Sequence, residues 1–297
     1  MYSLIKKQNF LTLEVIPLHG AGSENIIKKI ENIKLIDKID AFIVPDSPLA
    51  RLKSNSIITA SKLQNHFKKL TIATISMRDR NKIALQSDLL GANELGINSI
   101  LALTGDSASS SDQPKVKGVF EANSTLLLEI IKCFNAGIDY SGKPFSCLPK
   151  PISAFCVCNS ATNHQKSLQK KITAKLKFSP LGIISQPIYS IQNAKILKEI
   201  FDDAKNESKN DQAELILGFF PITKLRTAQF LNSHVPGICI PQEWISKLEN
   251  AKKISEEKEF ETGFELSKTI LKNLTDFHPK IHIMGANNFS LLDKLLN

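Results

Sequence analysis

Two acids stand in stretches where a strand would otherwise be apolar. Glu14 interrupts Thr12-Leu-Glu-Val-Ile-Pro17, and Asp106 closes Asn98-Ser-Ile-Leu-Ala-Leu-Thr-Gly-Asp106, directly behind the apolar run Ile100 to Leu103. A carboxylate in such a setting must be paired, hydrated in a cavity, or functional, because desolvating it alone is costly. Uninterrupted apolar runs of this length mark strands buried on both faces, as in a parallel sheet covered by helices. In sheets and barrels of that kind the carboxyl ends of the strands face ligands. Asp106 is therefore a candidate site residue, and the rest of the chain must supply a floor beneath it.

Other polar side chains fall at comparable points. The loop from Asp46 follows Ile39 to Pro45; Arg78, Asp79, Arg80 and Asn81 follow the strand-like 70–76; Thr104 and Gly105 precede Asp106. Asn159 follows Ile152 to Cys158, Gln186 ends 181–186, Phe219 and Phe220 end 214–220, and His282, Asn287 and Asn288 lie near the end of the chain. Two acids, an amide, hydroxyls and apolar groups suit a flat, polar-edged organic ligand and chemistry by proton or hydride movement. No Ser/His/Asp or Cys/His set has workable spacing, and no pair of histidines with an acid suits a metal. Cys156-Val-Cys158 lacks a second Cys/His pair and reads as packing. Each candidate also has a structural reading: Glu14 as half of an interior ion pair, Asp106 as a cap, Gln186 as a partner for backbone, His282 as a hydrogen-bonded core residue.

The elements that would position these residues alternate throughout. Strands are expected at 12–17, 39–45, 70–76, 98–103, 152–158, 181–186, 214–220 and 280–284, with helices at 23–36, 54–66, 82–95, 121–135, 163–178, 191–206, 223–232 and 241–273, and a short terminal helix. A strand-helix unit recurring about every 30 residues is the rhythm of βαβ repeats. Eight strands in 297 residues with no compositional break predict an α/β chain folded as one closed (β/α)8 (TIM) barrel over 1–297, with an open doubly wound sheet as the alternative.

Bulk properties narrow the classes. A net charge of +9 comes from lysines scattered over helix faces, so no nucleic-acid partner is expected. No apolar segment reaches the ~18 to 20 residues needed to cross a bilayer, and the start lacks the pattern of a signal peptide. Five cysteines do not resemble a disulfide framework, so a cytoplasmic location is expected. Gly20-Ala-Gly-Ser-Glu-Asn25 begins like a dinucleotide fingerprint but has Asn25 where the third glycine belongs.

Taken in order, Leu13-Glu-Val-Ile-Pro17, Arg78-Asp-Arg-Asn81, Gly96 to Asp106, Ala136-Gly-Ile-Asp-Tyr-Ser-Gly142, Ile183-Ile-Ser-Gln186, Val235-Pro-Gly-Ile-Cys-Ile-Pro241 and Ile281-His-Ile-Met284 resemble the methylenetetrahydrofolate reductase family over roughly residues 11–290. The resemblance implies a (β/α)8 flavoprotein that holds FAD at the carboxyl face of the barrel. It implies reduction of 5,10-methylenetetrahydrofolate to 5-methyltetrahydrofolate, with NADH or NADPH as the expected co-substrate, in one-carbon supply for methionine. Glu14 matches the family's general acid, and Asp106 the aspartate beside flavin and pterin, which would stabilise a developing cation. Gln186 matches the glutamine on the pterin edge, with Phe219 and Leu225 as further substrate contacts. Thr74, Arg78, Asp79, Thr104, Gly105, Asp106, Asn159 and Lys175 fall at cofactor-binding positions; no metal is implied.

Several positions depart from the family's pattern. Thr74 stands where many members carry histidine, and Asn159-Ser160 replaces an Asn-Pro or Tyr-Pro step. Lys177-Phe-Ser-Pro-Leu replaces Ala-Gly-Ala, and Leu225 stands where some members place a stacking phenylalanine. These changes bear on affinity and on the electron donor more than on the fold. The chain's length implies the form without the regulatory domain of longer relatives. Two alternatives stay open: a flavin-free folate or methyl-transfer enzyme on the same barrel, and a catalytically degenerate subunit of a one-carbon complex. A homo-oligomer or a partner subunit is compatible with either.

Overall fold

Short β-branched runs bounded by polar turns alternate with amphipathic helices, and the computed structural model shows how they close on one another. It describes residues 1–235 and 237–297. Pro236, within the Val235 to Pro241 motif quoted above, lies outside the described residues. The strands are β1 (Phe10–Glu14), β2 (Ala41–Val44), β3 (Leu70–Ser76), β4 (Ser99–Leu103), β5 (Ser153–Cys158), β6 (Gly182–Pro187), β7 (Glu214–Phe219) and β8 (Lys280–Ile283). They pair in sequence order, every ladder parallel, and β8 returns to β1 to close the barrel. The expected (β/α)8 barrel is the observed fold.

The helices are α1 (Tyr2–Ile5), α2 (Ser23–Glu31), α3 (Ser56–Phe67), α4 (Lys82–Glu94), α5 (Ser124–Asn135), α6 (Gln165–Leu176), α7 (Ile191–Ser208), α8 (Leu225–His234), α9 (Gln242–Ile254), α10 (Glu256–Phe277) and α11 (Phe289–Leu296). Two differ from expectation. The stretch expected as one helix over 23–36 ends at Glu31, where Asn32 turns its side chain back onto the Lys28 carbonyl at 2.7 Å and Ile33 is extended before a 3-10 turn. The stretch expected over 241–273 is two helices, because Ser255 is fully extended and its hydroxyl accepts from Lys258 N at 3.0 Å, capping α10. Glu256, Glu257 and Glu259 in the first turn of α10 favour that start through the helix dipole.

Strand alternation makes two apolar layers. Phe10, Ala41, Ile43, Ile72, Leu101, Phe155, Ile184 and Ile216 fill the barrel's interior, and a larger set packs between the sheet and the helices. Helix α1, which the sequence did not announce, plugs the amino-terminal end with Ile5 inside. It is tied there by Lys280, whose Nζ donates to the carbonyls of Ile5 at 2.7 Å and Lys7 at 2.8 Å. The backbone approach at Gly218 demands glycine: a Cβ there would lie 2.3 Å from the Ser185 carbonyl, where the β6–β7 register slips between Ile184 and Pro187.

Candidate functional site

At the carboxyl end the interior opens into a cavity of about 330 Å³. Phe10, Thr12 and Glu14 alternate inward on β1, so Glu14 is the last inward residue before the chain leaves the barrel. Its carboxyl makes no hydrogen bond or ion pair among the described residues, and burial pushes its pKa up to about 7.

The residues after β4 form the opposite wall. Gly105 holds φ +92°, and a Cβ there would meet the Arg78 Cβ at 3.0 Å and the Ser76 Cβ at 3.1 Å, so only glycine lets the Thr104–Asp106 backbone pass this close. Thr104 Oγ1 accepts from Ser124 N at 3.1 Å, joining the turn to the start of α5. Asp106 is exposed, and one of its oxygens accepts from Leu49 N at 2.6 Å. Leu49 belongs to the loop after β2, where Ser47, Leu49 and Ala50 all have positive φ. Such backbone persists only when neighbours fix it. Here Arg78 donates to the Ser47 carbonyl at 3.2 Å, Asp106 receives Leu49, and Ser111 Oγ donates to the Ala50 carbonyl at 2.7 Å.

The rim is ionic. Arg80 bridges Asp46 and Asp88 at 2.6 Å each, while Asp46 also accepts from Ser76 N at 3.0 Å. Inside that rim, the buried hydroxyls of Thr74 and Ser76 have no hydrogen-bond partner among the described residues. Lys175 reaches in from α6, half-buried, and donates to the Val157 carbonyl at 2.7 Å. On the floor, His282 Nδ1 lies 2.9 Å from Thr12 Oγ1, and burial pushes its pKa down to about 3, keeping it neutral. Cys156 and Cys158 pack outside the barrel, and burial raises their thiols to about 11 and about 12, so neither forms a thiolate at neutral pH.

Glu14, Thr74, Arg78, Thr104, Gly105, Asp106, Lys175 and Gln186 line one cavity. Four other residues expected to contact substrate or cofactor do not, and neither do the strand-end residues Arg80, Asn81, Phe220, Asn287 and Asn288. Phe219 is fully buried on the outer face of β7, because the alternation that turns Ile216 and Gly218 inward turns Leu217 and Phe219 toward the helices. Leu225, the first residue of α8, also points into the helix layer, its amide held by Glu259 at 2.7 Å. Asp79 is exposed and faces an adjoining groove, where it pairs with Arg78 at 2.6 Å. Asn159 is exposed one residue beyond β5, beside Gly237. Conversely Ser76 and Met284 line the cavity without having been singled out. For Ser76 the signal was available: it shares the inward face of β3 with Ile72 and Thr74. Among the described residues no His/Cys/Asp/Glu cluster could hold a metal ion, and no helix is long and apolar enough to cross a membrane.

A closed barrel of eight parallel strands with an acid-bearing cavity at the carboxyl ends places the chain among (β/α)8 proteins that bind organic ligands at that face. The sequence profile of methylenetetrahydrofolate reductase matches residues 2–297, and the chain belongs to that family. No curated protein matches the sequence. Among solved structures, an uncharacterised protein from Clostridium thermocellum that binds two copies of 5-methyl-5,6,7,8-tetrahydrofolic acid is similar in fold, with a TM-score of 0.62 and 13% identity over 98% of this chain and 95% of that one.

Proposed function

We propose that this protein reduces 5,10-methylenetetrahydrofolate to 5-methyltetrahydrofolate, using bound FAD and a reduced nicotinamide nucleotide. The observation that carries the reading is the unpartnered Glu14 carboxyl, with a pKa of about 7, in the same cavity as Asp106 and Gln186. Opening the bridged folate ring needs a proton on the departing nitrogen and leaves an iminium cation that accepts hydride. A carboxyl titrating near neutral pH is partly protonated there, so Glu14 can deliver that proton and regain it. The Asp106 carboxylate, steadied by the Leu49 amide, stabilises the positive charge that develops. Gln186 offers one donor and one acceptor to the edge of a heterocycle.

The cavity's residues fit a flavin. The unpartnered Thr74 and Ser76 hydroxyls present polar atoms that a ring edge can satisfy, Gly105 lets ring and backbone approach closely, and Lys175 brings a cation toward phosphate or ribose. Bound flavin supplies the two-electron carrier between nicotinamide and folate. Family membership and the methylated folate bound by the Clostridium thermocellum protein support the choice of substrate.

The purified protein is expected to be yellow or to become so with FAD, to bleach anaerobically with NADH or NADPH, and to regain colour on adding 5,10-methylenetetrahydrofolate. Glu14→Gln is expected to keep the colour and the bleaching and to lose the folate-driven return. A protein that takes up no FAD overturns the reading in favour of a flavin-free folate enzyme. Indifference to Glu14→Gln removes its central residue.

A further inference from the structure

The cavity floor holds an imidazole that the proposed chemistry leaves unused. His282 on β8 stands opposite Thr12 on β1, is 4% exposed, and has Nδ1 2.9 Å from Thr12 Oγ1. Glu14 is the next inward residue on β1 beyond Thr12, and both Glu14 and His282 line the cavity. Residues two apart on a strand share a face, and adjacent strands lie about 5 Å apart. Hydroxyl, imidazole and carboxyl therefore form one cluster at the seam where the barrel closes.

The hydroxyl decides where the imidazole keeps its proton. Thr12 is fully buried and makes this one side-chain hydrogen bond among the described residues. The Thr12 backbone also meets the ring, in a contact that offsets part of the downward shift; yet a buried O–H left undonated is costly, whereas an unused lone pair is tolerated, and this assigns Thr12 Oγ1 as donor and Nδ1 as acceptor. A neutral imidazole has one N–H, which then sits on Nε2. That nitrogen has no protein partner among the described residues and belongs to a ring that borders the cavity.

We propose that Thr12 locks His282 in the Nε2–H tautomer and that His282, a positioning residue, donates this hydrogen bond to the Glu14 carboxylate after Glu14 has released its proton. The inference rests on the general-acid role of Glu14. A general acid on an apolar floor has a difficult conjugate base, and a neutral donor eases it without adding charge. A lysine or arginine at this place would hold Glu14 ionised and abolish the acid. Burial keeps the imidazole uncharged over the working range, so it does not become such a cation.

The charged groups facing Glu14 from the surrounding elements are already engaged. Arg78 is paired with Asp79, Arg80 with Asp46 and Asp88, and Lys175 with the Val157 carbonyl. Asp106 accepts from Leu49 N, and Lys280, below His282 on β8, is spent on the carbonyls of Ile5 and Lys7. The free hydroxyls of Thr74 and Ser76 lie two strands away on β3.

Two measurements test this. Long-range proton–nitrogen NMR spectra of the folded protein labelled with [15N]histidine are expected to show His282 only as the Nε2–H tautomer near neutral pH, and as a mixture in Thr12→Val. A wild-type Nδ1–H tautomer overturns the lock. Separately, the pH profile of folate-driven flavin reoxidation falls as Glu14 deprotonates. Its midpoint is expected to rise by about one unit in His282→Leu and to return toward wild type in His282→Gln, which keeps a donor near the Nε2 position. An unchanged midpoint overturns the proposal, and a changed KM for folate at an unchanged midpoint assigns the bond to folate instead. Should His282→Leu fail to fold, Thr12→Val carries the same midpoint test, with a smaller rise expected. If Glu14→Gln retains the reaction, the functional reading itself fails, while the spectra still judge the Thr12–His282 lock.

Discussion

At the amino end of the barrel Lys280 serves two carbonyls and lies 3.9 Å from Glu214, whose other oxygen takes Lys6 at 2.5 Å. Among the described residues Glu14, at the carboxyl end, has no ion pair, and of the three buried side-chain oxygens without a partner, Thr74 Oγ1 and Ser76 Oγ are two. One interior thus has two polar ends built on opposite terms. Where charges are matched and a helix covers them, the groups serve the fold. Where a carboxyl and two hydroxyls stay unmatched beside a cavity, they are left available to a ligand that could complete them.

The largest expected effect breaks the open end. Glu14→Gln keeps the shape and removes the proton, so folate reduction should fall by about 10²- to 10⁴-fold, the range in which a positioned acid contributes. Stopped-flow reoxidation of the reduced enzyme by folate measures it, and a loss below about tenfold would remove Glu14 from the chemistry.

The same substitution should sharpen the contrast in stability. Glu14 has its pKa raised from 4.5 to about 7, so the folded state favours the neutral form. That contribution is fully present below pH 4.5 and is lost as pH rises through about 7. Glu14→Gln should therefore match wild type at pH 4 and exceed it at pH 8 by on the order of 3 kcal/mol, read from urea unfolding at the two pH values. His282 runs the other way. Its folded pKa is depressed from 6.5 to about 3, so its contribution is present above 6.5 and is lost as pH falls toward 3, a slope that His282→Gln should flatten.

The sequence made one end far more legible than the other. Period and apolar runs disclosed all eight strands, because a parallel barrel strand buried on both faces has few alternatives, although the first, expected at 12–17, runs Phe10–Glu14. They also marked Glu14, Asp106 and Gln186, which line one cavity, since a polar residue at the end of such a run stands out. Phe219 was misplaced because a continuous apolar run does not say which of its residues face inward; that parity shows only once Ile216 is seen in the interior and Leu217 and Phe219 among the helices. The α1 plug went unseen because four residues carry no helical period, and it forms only against an interior that already exists. Ser76 was passed over as one more small residue in a strand, and its empty hydroxyl became apparent only once its neighbours were known.

Breaking the closed end should cost stability and spare the chemistry. Lys280→Met leaves the Ile5 and Lys7 carbonyls without their donor and Glu214 with Lys6 alone. A loss of about 1–3 kcal/mol is expected in urea unfolding, with flavin affinity and folate reoxidation unchanged. A drop in reoxidation at full flavin occupancy would show that the plug communicates with the mouth.

The smallest effect carries the sharpest sign. Thr74→Val removes a buried hydroxyl that bonds to nothing among the described residues, so stability should stay within about 0.5 kcal/mol of wild type or rise. If that hydroxyl is completed by a ligand, flavin affinity should weaken by about 0.5–1.5 kcal/mol, roughly 2- to 10-fold, in a fluorescence titration of the apoprotein. Lys280→Met should show the reverse pattern, stability lost and affinity kept. A Thr74→Val variant that loses stability and keeps its flavin would mean that the hydroxyl serves the fold, and the distinction between the two ends would fail at this residue.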